Sequence, residues 1–230
     1  MPFVSDPAFV TLHVLRVRGI TETDEIAAAT GLNRETVVAA MEKHRDQEFV
    51  VLREGRLPGW SLTHLGRGED TELARVELDS AHARNAVDAA YLQFLELNAG
   101  LLRLCTDWQL FPPVDNKTAP ELNTHEDTAY DAEVLERLAK VDGAAQPICG
   151  GLADALARFG NYGPRLDQAR RRVEAGEHEW MTKPMIDSYH SVWFELHEDL
   201  LATLGIERGS EPVGSGDKAL PTDTDTEDES

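Results

Sequence analysis

Cysteine is nearly absent from this chain: Cys105 and Cys149 are the only two, and they stand far apart. They supply neither a disulfide framework nor a paired metal-binding motif, so a reduced, cytoplasmic protein is expected. Long apolar runs are missing as well. None approaches the roughly 18 residues of a spanning helix. The opening Met1-Pro2-Phe3-Val4-Ser5-Asp6 has no secretory character, so no membrane partner is expected. Catalytic signatures are also lacking. There is no His-Glu-x-x-His and no Gly-x-Ser-x-Gly, and Gly150-Gly151 lacks the lysine and strand context of a phosphate-binding loop. No enzymatic activity, catalytic residue, metal or cofactor is therefore expected. Basic residues are scarce: 22 Lys and Arg face 42 Asp and Glu, a net charge of −20. That is a poor overall match to a polyanion.

What is present begins at Leu12 and runs to Arg67. An amphipathic segment around His13 to Arg18 ends at Gly19. A short helix is predicted from Glu22 to Thr30, with Thr21 as a hydroxyl cap and Asp24 as an early acid. Gly31 closes it, and Asn33 caps a third helix from Arg34 to about Arg45. Leu32, Val37, Met41 and His44 fall on one face, which is expected to pack on Ile26 and Leu15. Two β-type runs follow, Phe49–Arg53 and Trp60–Leu62, around a turn containing Gly55, Pro58 and Gly59.

At Ala27-Ala28-Ala29-Thr30-Gly31-Leu32-Asn33-Arg34-Glu35-Thr36-Val37, at Phe49-Val50-Val51 and at Ser61-Leu62-Thr63-His64-Leu65-Gly66-Arg67, the chain resembles the winged-helix transcriptional regulators. The likeness is to the broad group that includes the MarR-like proteins. The last piece is similar to the Leu-Thr-x-x-Gly ending that follows the wing in many of them. The resemblance covers about 60 residues. It implies double-stranded DNA as partner, with the third helix in the major groove. Asn33, Arg34 and Thr36 would then meet base edges or phosphate, Lys43 and Arg45 the backbone, and Arg53 and Arg56 of the wing the adjacent phosphates or minor groove. Gly31 to Arg67 holds six basic and five acidic residues, so this window is less acidic than the rest.

Other features of the same segment point elsewhere. Val38 and Ala39 cannot donate bidentate hydrogen bonds to a base. Glu48 stands where a glycine is common before the first wing strand. A winged helix also serves as a protein-interaction module that does not bind DNA, and that is the alternative reading. A third reading places a ligand or an active centre in the C-terminal part.

From Thr71 to Leu204 helical periodicity dominates. The fold class expected is mainly α: a winged helix of three helices plus a β-hairpin wing, then an all-α helical domain. The expected divisions are 1–68, 69–205 and a disordered acidic tail, 206–230, too polar to fold. The pattern predicts a long helix over Thr71–Leu97, a loop over Cys105–Thr128, and helices over Tyr130–Val141, Ala144–Phe159, Pro164–Ala175 and Met185–Leu204. The last has two apolar faces, so it is expected to build a homodimer with the long helix. Trp108, Arg158, His190 and Trp193 are the candidate contacts of a small-molecule effector held between helices. Asp187, His190 and His197 share one side of the last helix, and packing with an Asp187–His190 bond is their simpler explanation.

Overall fold

The structure, a computed structural model, describes residues 1–112 and 119–207. The expected tail lies almost wholly outside the described residues. Within them the protein is mainly helical, with eight α-helices and two small antiparallel strand pairs.

Three helices open the chain: α1 (Pro7–Arg18), α2 (Thr23–Thr30) and α3 (Arg34–Asp46). Pro7 occupies the first turn of α1, where its missing N–H costs nothing. Gly31 ends α2 in the left-handed conformation that favours glycine. Asn33 caps α3 by accepting from the Thr36 backbone N–H at 2.9 Å. Val37, Met41 and His44 face inward from α3. They meet α1 and α2 in a core that includes Leu12, Leu15 and Ile26. The cap of α2 is Glu22, whose N–H donates to Glu25 Oε2 at 3.0 Å, and not Thr21 as expected. Thr21 pairs instead with Trp60 through both backbone groups, at 3.0 and 2.9 Å.

The hairpin follows as β1 (Val50–Arg53) and β2 (Gly59–Leu62), with Val50 opposite Leu62 and Arg53 opposite Gly59. Glu48, just before β1, sits at φ +61°. This left-handed turn accounts for a glycine preference at that point. Next comes α4 (His64–Ala81), capped by Thr63. It carries the chain through the expected boundary at 68/69 without a break.

The long helix expected over Thr71–Leu97 is two. His82 takes φ +52° after α4, and α5 (Arg84–Gln109) starts afresh. α5 runs past Cys105 because Leu101, Leu104, Cys105 and Trp108 keep burying one face. A short pair, β3 (Leu110–Phe111) and β4 (Glu121–Leu122), then leads to α6 (Thr128–Ala155). α6 merges two expected helices. Its midpoint stays helical where Asp142 is buried and accepts bonds from Tyr189, Gln146 and Arg170. A 3₁₀ turn (Ala157–Asn161), α7 (Tyr162–Glu174), a second 3₁₀ turn (His178–Trp180) and α8 (Tyr189–Leu204) complete the chain.

α8 begins four residues later than expected. Ser188 caps it, while Met185 lies before it at φ +66°, 93% exposed. Most of its apolar surface packs inside the chain, on α1, α4, α5 and α7. Val192, Trp193, Leu196, Leu200 and Leu201 are all buried there. Phe194, on the helix's second apolar face, is 43% exposed, as is Val76 of α4.

Candidate functional site

The outward surface of α3 is set by its buried face. With Val37, Met41 and His44 inward, the residues pointing most directly away are Glu35, Ala39, Glu42 and Asp46, at spacings of four, three and four. This ridge is acidic and exposed. The expected DNA contacts flank it. Arg34 and Arg45 lie on one side, Thr36 and Lys43 on the other, following the 100° step of a helix.

Several of these groups are already engaged. Asn33 Oδ1 accepts from both the N–H and the hydroxyl of Thr36, at 2.9 and 3.0 Å. Arg34 Nε donates to Asp24 at 2.7 Å in an exposed pair. Arg53 Nε donates across the hairpin to Ser61 Oγ at 2.8 Å. Lys43, Arg45 and Arg56 are exposed and have no ion pair among the described residues. Arg56 stands at the hairpin tip, beside exposed Leu57.

The four expected effector contacts are not brought together. Trp108 packs on His125 and His178, with ring centroids 4.5 and 5.5 Å away, and its Nε1 donates to the His178 carbonyl. Trp193 stacks on Phe94 at 4.5 Å and donates to Asn98 Oδ1 at 2.9 Å. The His190 N–H bonds to the Met181 carbonyl near the start of α8. Arg158 sits elsewhere, at a junction where α1 meets α4 and α8, beside the start of α7. Asp187 is clasped at two points by Arg165, at 2.8 and 3.0 Å.

That junction is the most densely charged place in the interior. His13 of α1 directs Nδ1 to Asp70 (2.9 Å) and Nε2 to Asp199 (3.1 Å). Arg158 binds Glu77 at 2.9 Å, Asp199 at 2.5 Å and Thr203 at 2.7 Å. Tyr162 donates to the other Asp199 oxygen at 2.8 Å, and the Ser5 hydroxyl donates to Glu77. Every one of these residues is buried or nearly so. Burial disfavours a charged His13, but Asp70 first and then Asp199 outweigh burial and the nearby Arg158, raising it to about 9. Burial pushes Asp199 up, but Arg158 and His13 prevail and hold it well below the usual carboxylate range.

Alongside the junction runs a cleft of about 280 Å³. One wall is the Val10, Val14 and Val17 face of α1 with Ala28 and Ala29 of α2. The other is Ala157, Tyr162 and Arg165, with Glu195 of α8. Of the expected effector contacts only Arg158 lines it.

Sequence reasoning passed over His13, Asp70, Glu77 and Asp199. The available signal was a charged or imidazole side chain inside an otherwise apolar helical face. Burial also pushes the Cys105 thiol up to about 12 and Cys149 up to about 11, which leaves both unreactive. No helix among the described residues is long and apolar enough to cross a membrane. No protein-family model, curated protein or solved structure matches the chain.

Proposed function

We propose that residues 7–67 form a winged helix and that the protein is a cytoplasmic DNA-binding regulator. The observation that carries this reading is the arrangement of α1, α2 and α3 followed directly by the β1–β2 hairpin. It leaves one whole face of α3 and the hairpin tip open to a partner. Arg34 and Arg45 on one flank of α3, Lys43 on the other and Arg56 on the tip supply the cations. They are few, so binding is weak in salt and depends steeply on each.

One observation favours a second reading, the protein-interaction module. The ridge of Glu35, Glu42 and Asp46 would face the phosphates or bases of a duplex and repel them. A basic protein surface would match it. Selection of genomic fragments by the purified protein at low salt, followed by anisotropy titrations across salt, separates the two. A regulator retains specific fragments. Its Arg56→Ala variant weakens all sequences alike and lowers the salt slope by about 0.9. Its Glu42→Lys variant binds tighter and steepens the slope. If the wild type retains no fragment at low salt, the regulator reading fails and the interaction module replaces it.

A further inference from the structure

We infer that His125 and His178 form a binding site for a divalent transition metal of the zinc, nickel and copper class. The two residues stand far apart in the chain. One lies between β4 and α6, the other in the 3₁₀ turn after α7. No spaced motif announces them. Folding brings their ring centroids to 4.3 Å. Two imidazoles on one tetrahedral zinc ion, at about 2.0–2.1 Å per bond, put their centroids about 5 Å apart. A movement of about 1 Å therefore admits the ion.

His125 is held as a metal ligand is held. Asn123 and Asp131 beside it are buried. Asn123 Nδ2 donates to Asp131 Oδ1 at 2.8 Å and to the Trp108 carbonyl at 3.1 Å, while its Oδ1 accepts the His125 N–H at 2.9 Å. His125 itself takes φ +62°, an uncommon conformation for a residue with a side chain. Its Nδ1 lies 3.2 and 3.0 Å from the two Asp131 oxygens. An ionised carboxylate only accepts, so Nδ1 carries the proton and the neutral ring keeps its lone pair on Nε2. A metal-binding histidine characteristically gives its other N–H to a carboxylate in this way, which fixes the tautomer and aims the ring.

His178 supplies the second imidazole. Its ring has Trp108 and His125 as aromatic neighbours and makes no hydrogen bond among the described residues. Its carbonyl, not its ring, takes the Trp108 Nε1–H. The two ring planes stand 53° apart, so rotation of His178 can turn a nitrogen towards the point His125 Nε2 addresses. Both histidines are half-buried, which leaves the site open to water. Imidazole suits zinc, copper and nickel, whereas calcium and magnesium prefer oxygen ligands. No group of three or more His, Cys, Asp or Glu side chains among the described residues could hold a metal. Asp131 stands behind His125, and water completes the coordination, so the ion is exchangeable. It would tie the β4–α6 connection to the α7–α8 connection. The site involves neither α3 nor the hairpin, so it is independent of DNA binding.

Trp108 reports on the site, since its ring centroid lies 4.5 Å from that of His125 and 5.5 Å from that of His178. Titration of the untagged full chain with copper(II) should quench tryptophan emission, and Trp108→Phe should lose the quenched part. Calorimetric titration with zinc, after removal of metals by a chelator, should give about one ion per chain with Kd about 100 µM or tighter. His125→Ala, His178→Ala and Asp131→Asn should each weaken zinc binding by about tenfold or more. Circular dichroism should keep the helical signal throughout. His178→Ala is the decisive variant if Asp131→Asn fails to fold, because the His178 ring makes no hydrogen bond among the described residues on which folding depends. A roughly hundredfold excess of calcium should not displace the zinc. The proposal is overturned if zinc does not bind at about 1 mM or if His125→Ala and His178→Ala both bind zinc as the wild type does. Displacement by calcium would also overturn it, because the ion would then belong to the acidic surface.

Discussion

At the scale of single residues, His13 has a carboxylate on each ring nitrogen. Both nitrogens must donate, so the ring is an imidazolium whatever tautomer a neutral ring would adopt. Its charge joins Arg158 against Asp70, Glu77 and Asp199, which leaves the junction close to balance. The raised value, about 9 against 6.5, fixes the sign of the pH effect. The ring's contribution to stability is complete below its unfolded value and is lost as pH rises through about 9. Urea unfolding from about pH 6 to about pH 10 should therefore show stability falling across the alkaline limb. His13→Ala should lower stability by about 3–5 kcal/mol near neutrality, because two buried carboxylates lose their partner. It should also flatten that limb. An alkaline limb equally steep in His13→Ala would place the titration on another group.

At the scale of elements, the passage from hairpin to α4 turns on Thr63 and Gly66. Thr63 Oγ1 accepts from the Gly66 N–H at 3.0 Å and donates to the Glu48 carbonyl at 2.7 Å. The Thr63 N–H donates to the Phe49 carbonyl at 2.9 Å. That carbonyl occupies the space a Gly66 Cβ would need. The Leu-Thr-x-x-Gly pattern thus marks a helix cap pressed against a backbone turn. Gly66→Ala should cost about 1–3 kcal/mol or more. Gly68→Ala, on the same helix with open space around it, should gain up to about 1 kcal/mol. Parallel urea melts check both, and an equal response at the two glycines would dismiss the steric account. Local chemistry of this kind was legible in the sequence. Pro7, Gly31, Asn33 and the inward face of α3 all sit where their residue types place them. The break at His82 and the fusion of α6 were not legible. A histidine carries no turn signal, and α6 stays helical through Asp142 because of partners on α7 and α8. The candidate site divides the same way. The α3 and hairpin residues could be listed from a pattern, whereas His13 and Asp199 meet across 186 residues.

At the scale of the whole molecule, the N-terminal helices and the helical body are sewn together at several points. Phe3 pairs through its backbone with Ala155 and Ala157, at 3.1 and 2.9 Å. α1 packs on α4 and α8 as well as on α2 and α3. Arg158 lies at the centre of the seam, bonded to α4 through Glu77 and to α8 through Asp199 and Thr203, with Phe9 of α1 5.6 Å from its guanidinium carbon. Two separately stable domains would give two transitions on heating. A seam of this kind argues for one, since loosening α1 exposes His13 and strips buried acids of their partners at once. Differential scanning calorimetry should show a single peak whose calorimetric and van't Hoff enthalpies agree. Arg158→Ala leaves Glu77 and Asp199 buried without their main cation, so it should cost about 3–5 kcal/mol. In that variant the N-terminal helices should come loose first. Amide exchange in α1 should then quicken by more than that in α5 and α6, whose mutual packing does not involve the seam. Two resolved peaks in the wild type, or uniform quickening in Arg158→Ala, would show that the seam does not couple the two halves.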